Sequence, residues 1–156
     1  MRPKTLSCGI LVFNTKGEVL LGHAAGGARW DIPKGIAEAD ETPITAALRE
    51  AGEETGLRLP PDGLLEVGRF SYLPGKDLAL FAAIVDDLDP SMCVCTSYFC
   101  DVRGRQRPEL DAFAWVPWDE VPRRCGRSLA AVLATIDLRA LMARCPSSTT
   151  NFGHPP

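Results

Sequence analysis

Hydrophobic and polar residues alternate in short runs over most of the chain, a pattern that predicts strands. The runs of this kind are Thr5 to Asn14, Glu18 to His23, Trp30 to Ile32, Leu64 to Leu73, Leu78 to Val85, Met92 to Val102 and Ala112 to Trp118. Two of the segments between them, Asn14 to Gly17 and Pro74 to Asp77, are rich in turn-forming residues. Each predicts a hairpin between its flanking strands, whereas the basic segment Gly104 to Pro108 predicts a loop.

Two segments have the spacing of helices. Thr42 is suited to cap a helix, Pro43 to occupy its first turn and Gly56 to end it. Ser128 to Arg144 has apolar residues at near-helical intervals. That spacing predicts one amphipathic helix packed on a sheet.

A chain of 156 residues has the length of one domain. Its last segment, Ser147 to Pro156, contains too few apolar residues to fold. The pattern therefore predicts a single α/β domain with a mixed β-sheet over residues 1–146. Residues 147–156 are predicted to form a disordered tail.

The charge and the apolar runs exclude several classes of protein. A net charge of −3 leaves no broad basic surface, so binding to long nucleic acid is not expected, although a nucleotide or a single RNA end is compatible with it. The apolar run Ile10 to Phe13 is too short for a signal peptide, and no run approaches the roughly 20 apolar residues of a membrane span. We therefore expect a cytoplasmic protein that does not bind membranes.

The six cysteines do not indicate disulfides, because the chain carries no secretory signal pattern. Cys93 and Cys95 lie two positions apart in a strand-like run, so both should point to one face. Two thiolates without partner ligands make no closed metal site, which favours buried packing for this pair.

The predicted helix from Pro43 onwards carries its acidic residues on one side. Its buried arc, at about 100° per residue, holds Ile44, Leu48, Ala51 and Thr55. A separate arc, almost opposite, holds Glu50, Glu53 and Glu54, and Ala46 and Ala47 share this arc without blocking access to it. A solvated acidic face is one interpretation. The other is a site for Mg²⁺ or Mn²⁺, which prefer oxygen ligands.

Gly35 and Arg49 favour the metal hypothesis. Gly35 ends an extended segment, where a glycine lets the backbone adopt strained angles and turn a carbonyl inward. Arg49 directly precedes the acidic residues, where it could steer a carboxylate or contact a phosphate.

The segment from Gly35 to Leu57 resembles the Nudix box, G-x5-E-x7-R-E-U-x-E-E-x-G-U, in which U is aliphatic. The matching positions are Gly35, Glu41, Arg49, Glu50, Ala51, Glu53, Glu54, Gly56 and Leu57. A motif that fixes this many positions is highly specific. The chain is identified as a member of the Nudix (MutT-like) hydrolases, with its subgroup unassigned. The resemblance implies an α/β/α sandwich with a mixed β-sheet.

The resemblance also implies a divalent-metal centre. Glu50 and Glu54 would ligate Mg²⁺ or Mn²⁺, Glu53 would be a ligand or the base, and the Gly35 carbonyl would be a further ligand. Arg49 would orient a neighbouring glutamate. Such a centre cleaves a diphosphate linkage, because the cation offsets the charge of the phosphates and activates a water.

Three acidic residues outside this set have expected roles. Glu41 would tie the preceding loop to the helix. Glu109 lies in a loop, in a position similar to the family's downstream acid, and is a candidate general base; an exposed loop charge is the alternative. Asp111 is the substitute candidate for that base.

The substrate hypothesis rests on the segment Trp30 to Gly35, whose W-x-x-P-K-G pattern resembles Nudix enzymes that act on dinucleoside polyphosphates or diphosphoinositol polyphosphates. Lys34 would contact a phosphate, unless it is a surface lysine. Trp30 would stack on a base, or be buried at the end of its strand. Tyr72 lies near a position that marks the dinucleoside polyphosphate subgroup. We expect a nucleoside diphosphate linked to another group, with a dinucleoside polyphosphate as the leading candidate.

Two alternatives stay open at this point. One is a nucleotide-sensing module that keeps the fold without catalysis; such relatives usually lose residues of the box, which is complete here. The other is a protein-interaction module that uses its C-terminal helix, with a second copy of the chain as one expected partner.

Overall fold

The computed structural model describes residues 3–146 and the backbone of residues 151–152. Its strands are β1 (Thr5–Phe13), β2 (Glu18–Ala24), β3 (Trp30–Asp31), β4 (Lys34–Ile36), β5 (Leu57–Arg58), β6 (Leu65–Leu73), β7 (Lys76–Ile84), β8 (Tyr98–Cys100), β9 (Gln106–Pro108), β10 (Leu110–Pro117) and β11 (Asn151–Phe152). Its helices are α1 (Pro43–Thr55), α2 (Val121–Arg124), α3 (Arg127–Leu133) and α4 (Leu138–Arg144).

The central sheet is mixed, as predicted. Its strand order is β10-β2-β1-β7-β6, with β3 paired to β2 and β4 paired to β1. Strands β1 and β7 run parallel along their whole length, and the other pairs are antiparallel. Strand β4 pairs with the first half of β1, which sets Gly35 opposite Cys8. The predicted metal-site glycine is thereby fixed in the sheet.

Helices cover both faces of this sheet. Alternate residues of a strand point to opposite faces, and the second half of β1, from Ile10 to Phe13, is apolar and fully buried. Ile10 and Val12 pack in the core under α1, whereas Leu11 and Phe13 pack in the core under α3 and α4. The structure therefore confirms the expected three-layer α/β/α sandwich.

Local sequence signals set the ends of α1, as predicted. The Thr42 side chain accepts a hydrogen bond from the backbone N–H of Thr45, and Pro43 occupies the first turn. Gly56 ends the helix with a φ of 82° and donates its backbone N–H to the carbonyl of Gly52. A left-handed φ of this kind suits glycine, which has no β-carbon.

The prediction of one strand from Met92 to Val102 was wrong. Only Tyr98–Cys100 is a strand, and it pairs with β9, which lies in the segment predicted as a loop. The preceding residues bind the end of α1 instead: the N–H of Val94 donates to the carbonyl of Thr55 at 2.9 Å, and that of Thr96 to Glu53 at 2.7 Å. The last carbonyls of a helix lack partners within the helix, so this segment satisfies them.

The prediction of one helix from Ser128 to Arg144 was also wrong. Helix α3 ends at Leu133 and α4 begins at Leu138. Between them, the Thr135 hydroxyl donates to the carbonyl of Val132 at 2.7 Å, and Asp137 caps α4 by accepting from the N–H of Ala140 at 3.2 Å. Such polar side chains compete with the helical backbone for hydrogen bonds, so the apolar spacing is kept but the helix is broken.

The expected tail lies largely outside the described residues, which exclude 147–150 and 153–156. Asn151–Phe152, however, forms the short strand β11 and pairs antiparallel with β5. This pairing differs from the expectation of disorder at those two residues, since it uses backbone groups and needs no apolar side chains. In the part of the chain that the structure describes, no helix is long and apolar enough to cross a membrane.

Candidate active site

Helix α1 turns Glu50 and Glu54 towards the sheet. Ala46 and Ala47 are fully buried, and Glu50 and Glu54 are only 9% and 6% exposed. The prediction that the two alanines leave an open acidic face was therefore wrong. Because the side chains of Ala46 and Ala47 are small, α1 packs closely on the sheet. The carboxylates of Glu50 and Glu54 are therefore buried between the helix and the sheet.

These carboxylates line a cleft of about 520 Å³ between α1, β4 and the start of β10. The charged residues and the glycine that line it are Asp31, Lys34, Gly35, Glu38, Arg49, Glu50, Glu53, Glu54, Lys76 and Glu109. The fold thus brings the predicted metal ligands together with Lys34 and Glu109. Trp30 and Tyr72 lie outside this lining.

A larger groove, of about 890 Å³, lies on the outer side of α1 beside Leu48, Leu57 and Val94. It is mainly apolar, and of the acidic set it contains only Glu53. The chemistry that the sequence predicts is therefore concentrated in the smaller cleft.

Gly35 is required by its distance from Glu50 rather than by an unusual backbone angle. A β-carbon at Gly35 would overlap the carboxylate carbon and both carboxylate oxygens of Glu50. Gly35 belongs to a regular strand pair and is not among the glycines with positive φ. The expectation of strained backbone angles at Gly35 was thus wrong, and the absence of a side chain is what the site uses.

Arg49 connects the loop before α1 with the acidic residues of the helix. Its Nε and Nη2 each donate to a Glu41 carboxylate oxygen at 2.8 Å, and its Nη1 donates to Glu50 at 2.9 Å and to Glu53 at 3.3 Å. The Arg49 hydrogen bonds, with one from the backbone of Glu38, lower the pKa of Glu41 to about 2. Glu41 is placed as expected for a residue that ties the loop to the helix.

Glu54 is the most enclosed carboxylate of the cleft. Its Oε1 accepts a hydrogen bond from the backbone N–H of Lys34 at 2.7 Å. Burial raises its pKa to about 8 against the effect of that hydrogen bond, and the charges of Glu50 and Glu109 raise it further. Burial also raises the pKa of Glu50. Glu109, which is exposed, thus lies near enough to act electrostatically on both buried carboxylates.

The donor set of the cleft fits a hard divalent cation. Its lining offers carboxylate oxygens and the Gly35 backbone but no cysteine or histidine, a composition that Mg²⁺ and Mn²⁺ prefer. Six acidic and three basic side chains line it, so a polyanionic substrate would be repelled without a cation. Within residues 3–146, no three acidic, histidine or cysteine side chains converge as a ready-made metal cluster. Arg49 instead holds Glu50 and Glu53.

Of the three predicted substrate-binding residues, Lys34 lines this cleft and Tyr72 lies beside the Lys34 ammonium, whereas Trp30 lies outside the lining. The Lys34 ammonium is 2.9 Å from Asp31 Oδ2 and 5.8 Å from the centre of the Tyr72 ring. Burial lowers the pKa of Lys34, but the charge and hydrogen bond of Asp31, together with the charges of Tyr72 and Glu54, outweigh burial and the net shift is upward. Lys34 is therefore a held, charged side chain of the cleft and not a free surface lysine. Trp30 is half-buried, with its ring edge-on to His23 at 5.3 Å.

Sequence reasoning missed Asp31 and Lys76 in the cleft. Asp31 had one local signal, its position three residues before Lys34. Lys76 had none, because the parallel pairing of Thr5 with Lys76 brings it there.

Two other sequence hypotheses concern residues outside the cleft. Asp111, the substitute base, accepts a hydrogen bond from His23 Nδ1 at 2.6 Å through its Oδ1 and is not part of the cleft lining. Cys93 and Cys95 are buried, as expected, and belong to no metal cluster of the described residues.

The sequence profile of the NUDIX domain matches residues 3–135, and the chain belongs to this family. The chain is 38% identical to a MutT-like protein of Streptomyces ambofaciens, over 92% of this chain and 80% of the relative. It is 28% identical to an RNA pyrophosphohydrolase of Marinomonas sp. (strain MWYL1), over 70% of this chain and 73% of the relative. The fold is similar to that of a C. elegans Ap4A hydrolase in a binary complex, with a TM-score of 0.57, 18% identity and coverage of 88% of this chain and 98% of that one.

The chain is thus a Nudix pyrophosphohydrolase, which confirms the predicted family and the prediction of an enzyme. Nudix hydrolases act on nucleotide-type substrates and generally use divalent metal ions.

Proposed function

We propose that this enzyme uses Mg²⁺ or Mn²⁺ to hydrolyse the diphosphate linkage of a nucleoside diphosphate joined to another group, with a dinucleoside polyphosphate as the leading substrate. The observation that carries the proposal is the cleft in which Glu50 and Glu54 are buried against Gly35 and Lys34. Burying two carboxylates side by side is unfavourable unless a cation joins them. A cation site is therefore the simplest physical reason for the arrangement.

The cleft residues have distinct roles in this proposal. Glu50, Glu53, Glu54 and the Gly35 carbonyl would hold the ion, which when bound offsets the phosphate charge and lowers the pKa of a coordinated water. Arg49 holds Glu50 and Glu53 in orientation through Nη1. A water attacks one phosphorus, the bond from that phosphorus to the bridging oxygen breaks, and the leaving phosphate takes the electron pair.

Glu109 is the proposed general base, and a carboxylate oxygen of Glu109 takes the proton of the attacking water. Hydrogen bonds hold both backbone polar groups of Glu109. Its N–H donates to the carbonyl of Ser97 at 2.8 Å, and its carbonyl accepts from the N–H of Ala25 at 3.1 Å. Its side chain is exposed and lines the cleft. A base needs both a fixed position and freedom to reach water. Glu53, the least buried of the helix glutamates, is the alternative base.

Lys34 in the cleft would bind the substrate together with Tyr72 and Trp30, which lie outside the cleft lining. Lys34 would contact a phosphate, and the two aromatic rings would contact a base or sugar. The W-x-x-P-K-G pattern and the similar fold of a protein described as an Ap4A hydrolase support a dinucleoside polyphosphate.

A second candidate substrate is the 5′-phosphorylated end of an RNA. The hairpin formed by β8 and β9 carries Arg103, Arg105 and Arg107 and an exposed Tyr98. Arginines interleaved with an exposed aromatic ring suit a single-stranded nucleic acid. The hairpin starts next to Ser97 and ends next to Glu109, both of which line the cleft. Relatives described as RNA pyrophosphohydrolases favour this candidate as well.

A substrate panel tests the proposal. The enzyme is incubated with Mg²⁺ and diadenosine tetraphosphate, ADP-ribose, a nucleotide sugar, a nucleoside triphosphate or a 5′-triphosphorylated oligoribonucleotide, and the products are resolved by chromatography. We expect cleavage within the phosphate chain, fastest for diadenosine tetraphosphate. Absence of cleavage within the phosphate chain of every compound in the panel contradicts the proposal. Arg103→Gln with Arg105→Gln should slow only the oligoribonucleotide reaction if RNA ends are the substrate.

A further inference from the structure

We propose that Asp31 is a positioning residue that holds the ammonium of Lys34 in place at the end of the cleft, ready for a substrate phosphate. This inference rests on the proposed phosphate-binding role of Lys34. It adds a carboxylate that is neither part of the Nudix box nor a member of the acidic helix.

The geometry fixes the Asp31 carboxylate through both of its oxygens. Oδ1 accepts a hydrogen bond from the backbone N–H of Ile32 at 2.9 Å, and Oδ2 lies 2.9 Å from Lys34 Nζ. Both side chains of the pair are only 19% exposed. Pro33 lies between them in the chain and restricts the backbone of this turn. One carboxylate oxygen of Asp31 thus accepts from the adjacent backbone, and the other pairs with the Lys34 ammonium.

Lys34 is anchored at its other end as well. Its backbone N–H donates to Glu54 Oε1, and its backbone pairs with Gly9 in the sheet. The ammonium also lies 5.8 Å from the centre of the Tyr72 ring, within the range of a cation–π contact. One residue therefore connects the proposed metal ligand Glu54, through its main chain, with the phosphate-binding end of the cleft, through its side chain.

Asp31 has two opposite effects on a phosphate, and their balance decides the sign of the result. As a negative charge in the cleft it repels the phosphate. As the partner of Lys34 it orders a long side chain before the substrate arrives. The entropy cost of ordering that side chain is then not part of the free energy of binding. The pair is partly shielded from water, and each carboxylate oxygen has a defined partner, so we expect the ordering effect to exceed the repulsion.

A double-mutant cycle tests the proposal with the variants Asp31→Asn, Lys34→Met and the two combined. Asparagine keeps the Oδ1 acceptor for Ile32 and loses the charge. We expect Asp31→Asn to raise KM for diadenosine tetraphosphate by about 2- to 10-fold, with kcat within about 2-fold. The Kd of a methylene-bridged ATP analogue, measured by calorimetry, should rise by the same factor. In the Lys34→Met background, the same change should leave KM unaltered or lower it.

The controls separate this role from a structural one. Asp77→Asn removes an ion pair with Arg69, at 3.0 Å, outside the cleft lining, and should leave KM unchanged. Asp31→Glu keeps the charge and should recover part of the loss in KM. The inference is overturned if Asp31→Asn lowers KM in the native background, or changes it by one factor in both backgrounds. A native enzyme that neither binds the analogue nor cleaves the substrate rejects the proposed function instead.

Discussion

The backbone of Gly35 lies directly against the carboxylate of Glu50, so that a β-carbon at Gly35 would overlap it. The contact is set from both sides. Pairing with Cys8 holds Gly35 in the sheet, and the buried Ala47 brings α1 onto the same sheet. No side chain therefore separates the backbone of Gly35 from the buried carboxylate of Glu50. The atoms that this part of the cleft offers to a cation are oxygens of the backbone and of the carboxylate.

Gly35→Ala tests the importance of this contact. The added methyl group would displace the end of a flexible side chain, so the protein should still fold while Glu50 moves. A displacement of about 1 Å at a reacting site can lower the rate by about 10²-fold, and we expect a fall in kcat of that order. Steady-state kinetics with diadenosine tetraphosphate measure the effect.

Gly52→Ala is the matched control for this variant. A β-carbon at Gly52 would make only an ordinary contact, 3.8 Å from the carbonyl of Leu57. Alanine is the better helix former by about 1 kcal/mol, so Gly52→Ala should raise the melting temperature and leave kcat unchanged. If both glycine variants keep full activity, the Gly35 contact has no role in the reaction.

Glu109→Gln separates a general base from an exposed loop charge. Loss of a base costs about 10² to 10⁴ in rate, and we expect kcat to fall by that factor while KM stays nearly constant. Glu66→Gln, an exposed change on β6 outside the cleft, is the control. An unchanged rate for Glu109→Gln at saturating metal would transfer the role to Glu53, because Asp111 is engaged by His23 outside the cleft.

The cysteines should differ in their reaction with iodoacetamide. Burial, with a contribution from the charge of Asp89, raises the pKa of Cys93 to about 12. At pH 8 only about one Cys93 in 10⁴ is therefore a thiolate, the reactive form. Cys100 is exposed. Mass spectrometry of the folded protein should show rapid labelling of Cys100, absent in Cys100→Ser, and protection of Cys93 from pH 7 to 9. Equal labelling rates would show that Cys93 is accessible.

The ends of α1 and the positions of the box were predictable because their signals are local. Thr42, Pro43 and Gly56 act through backbone groups within one turn of themselves. Spacing along a helix also fixes which glutamates share a face. These features need no information about the rest of the fold.

The environment of the acidic face was not predictable, because it depends on which side of α1 meets the sheet. Periodicity defines two arcs, and both contain apolar residues. The alanines at 46 and 47 are small enough for close packing and are buried. Of the predicted buried arc, Ala51 and Thr55 are buried as expected, while Ile44 and Leu48 are only half-buried. The irregular course of residues 93–97 has the same kind of cause, since its partners are the carbonyls of Glu53 and Thr55 at the far end of α1.

Melting curves of Glu54→Gln distinguish a metal ligand from a scaffold residue. Glutamine keeps an oxygen that can accept from the N–H of Lys34 and removes a charge that burial disfavours. With chelator, the variant should melt no lower than the parent. Added Mg²⁺ should raise the melting temperature of the parent, because a ligand of the native state stabilises it, and raise that of the variant less. A clear drop for the chelated variant would mean that Glu54 is scaffold.

The most direct test of the central claim is the turnover of diadenosine tetraphosphate as a function of Mg²⁺ concentration, in the parent and in Glu54→Gln. We predict no turnover by the parent in excess chelator and full recovery when Mg²⁺ is restored. Glu54→Gln should need a higher Mg²⁺ concentration for half-maximal turnover. Its maximal rate should be about 10- to 100-fold below that of the parent, the loss typical of a disturbed metal site. Undiminished turnover by the parent after complete chelation, or parent-like activity of Glu54→Gln at every Mg²⁺ concentration, would contradict the account.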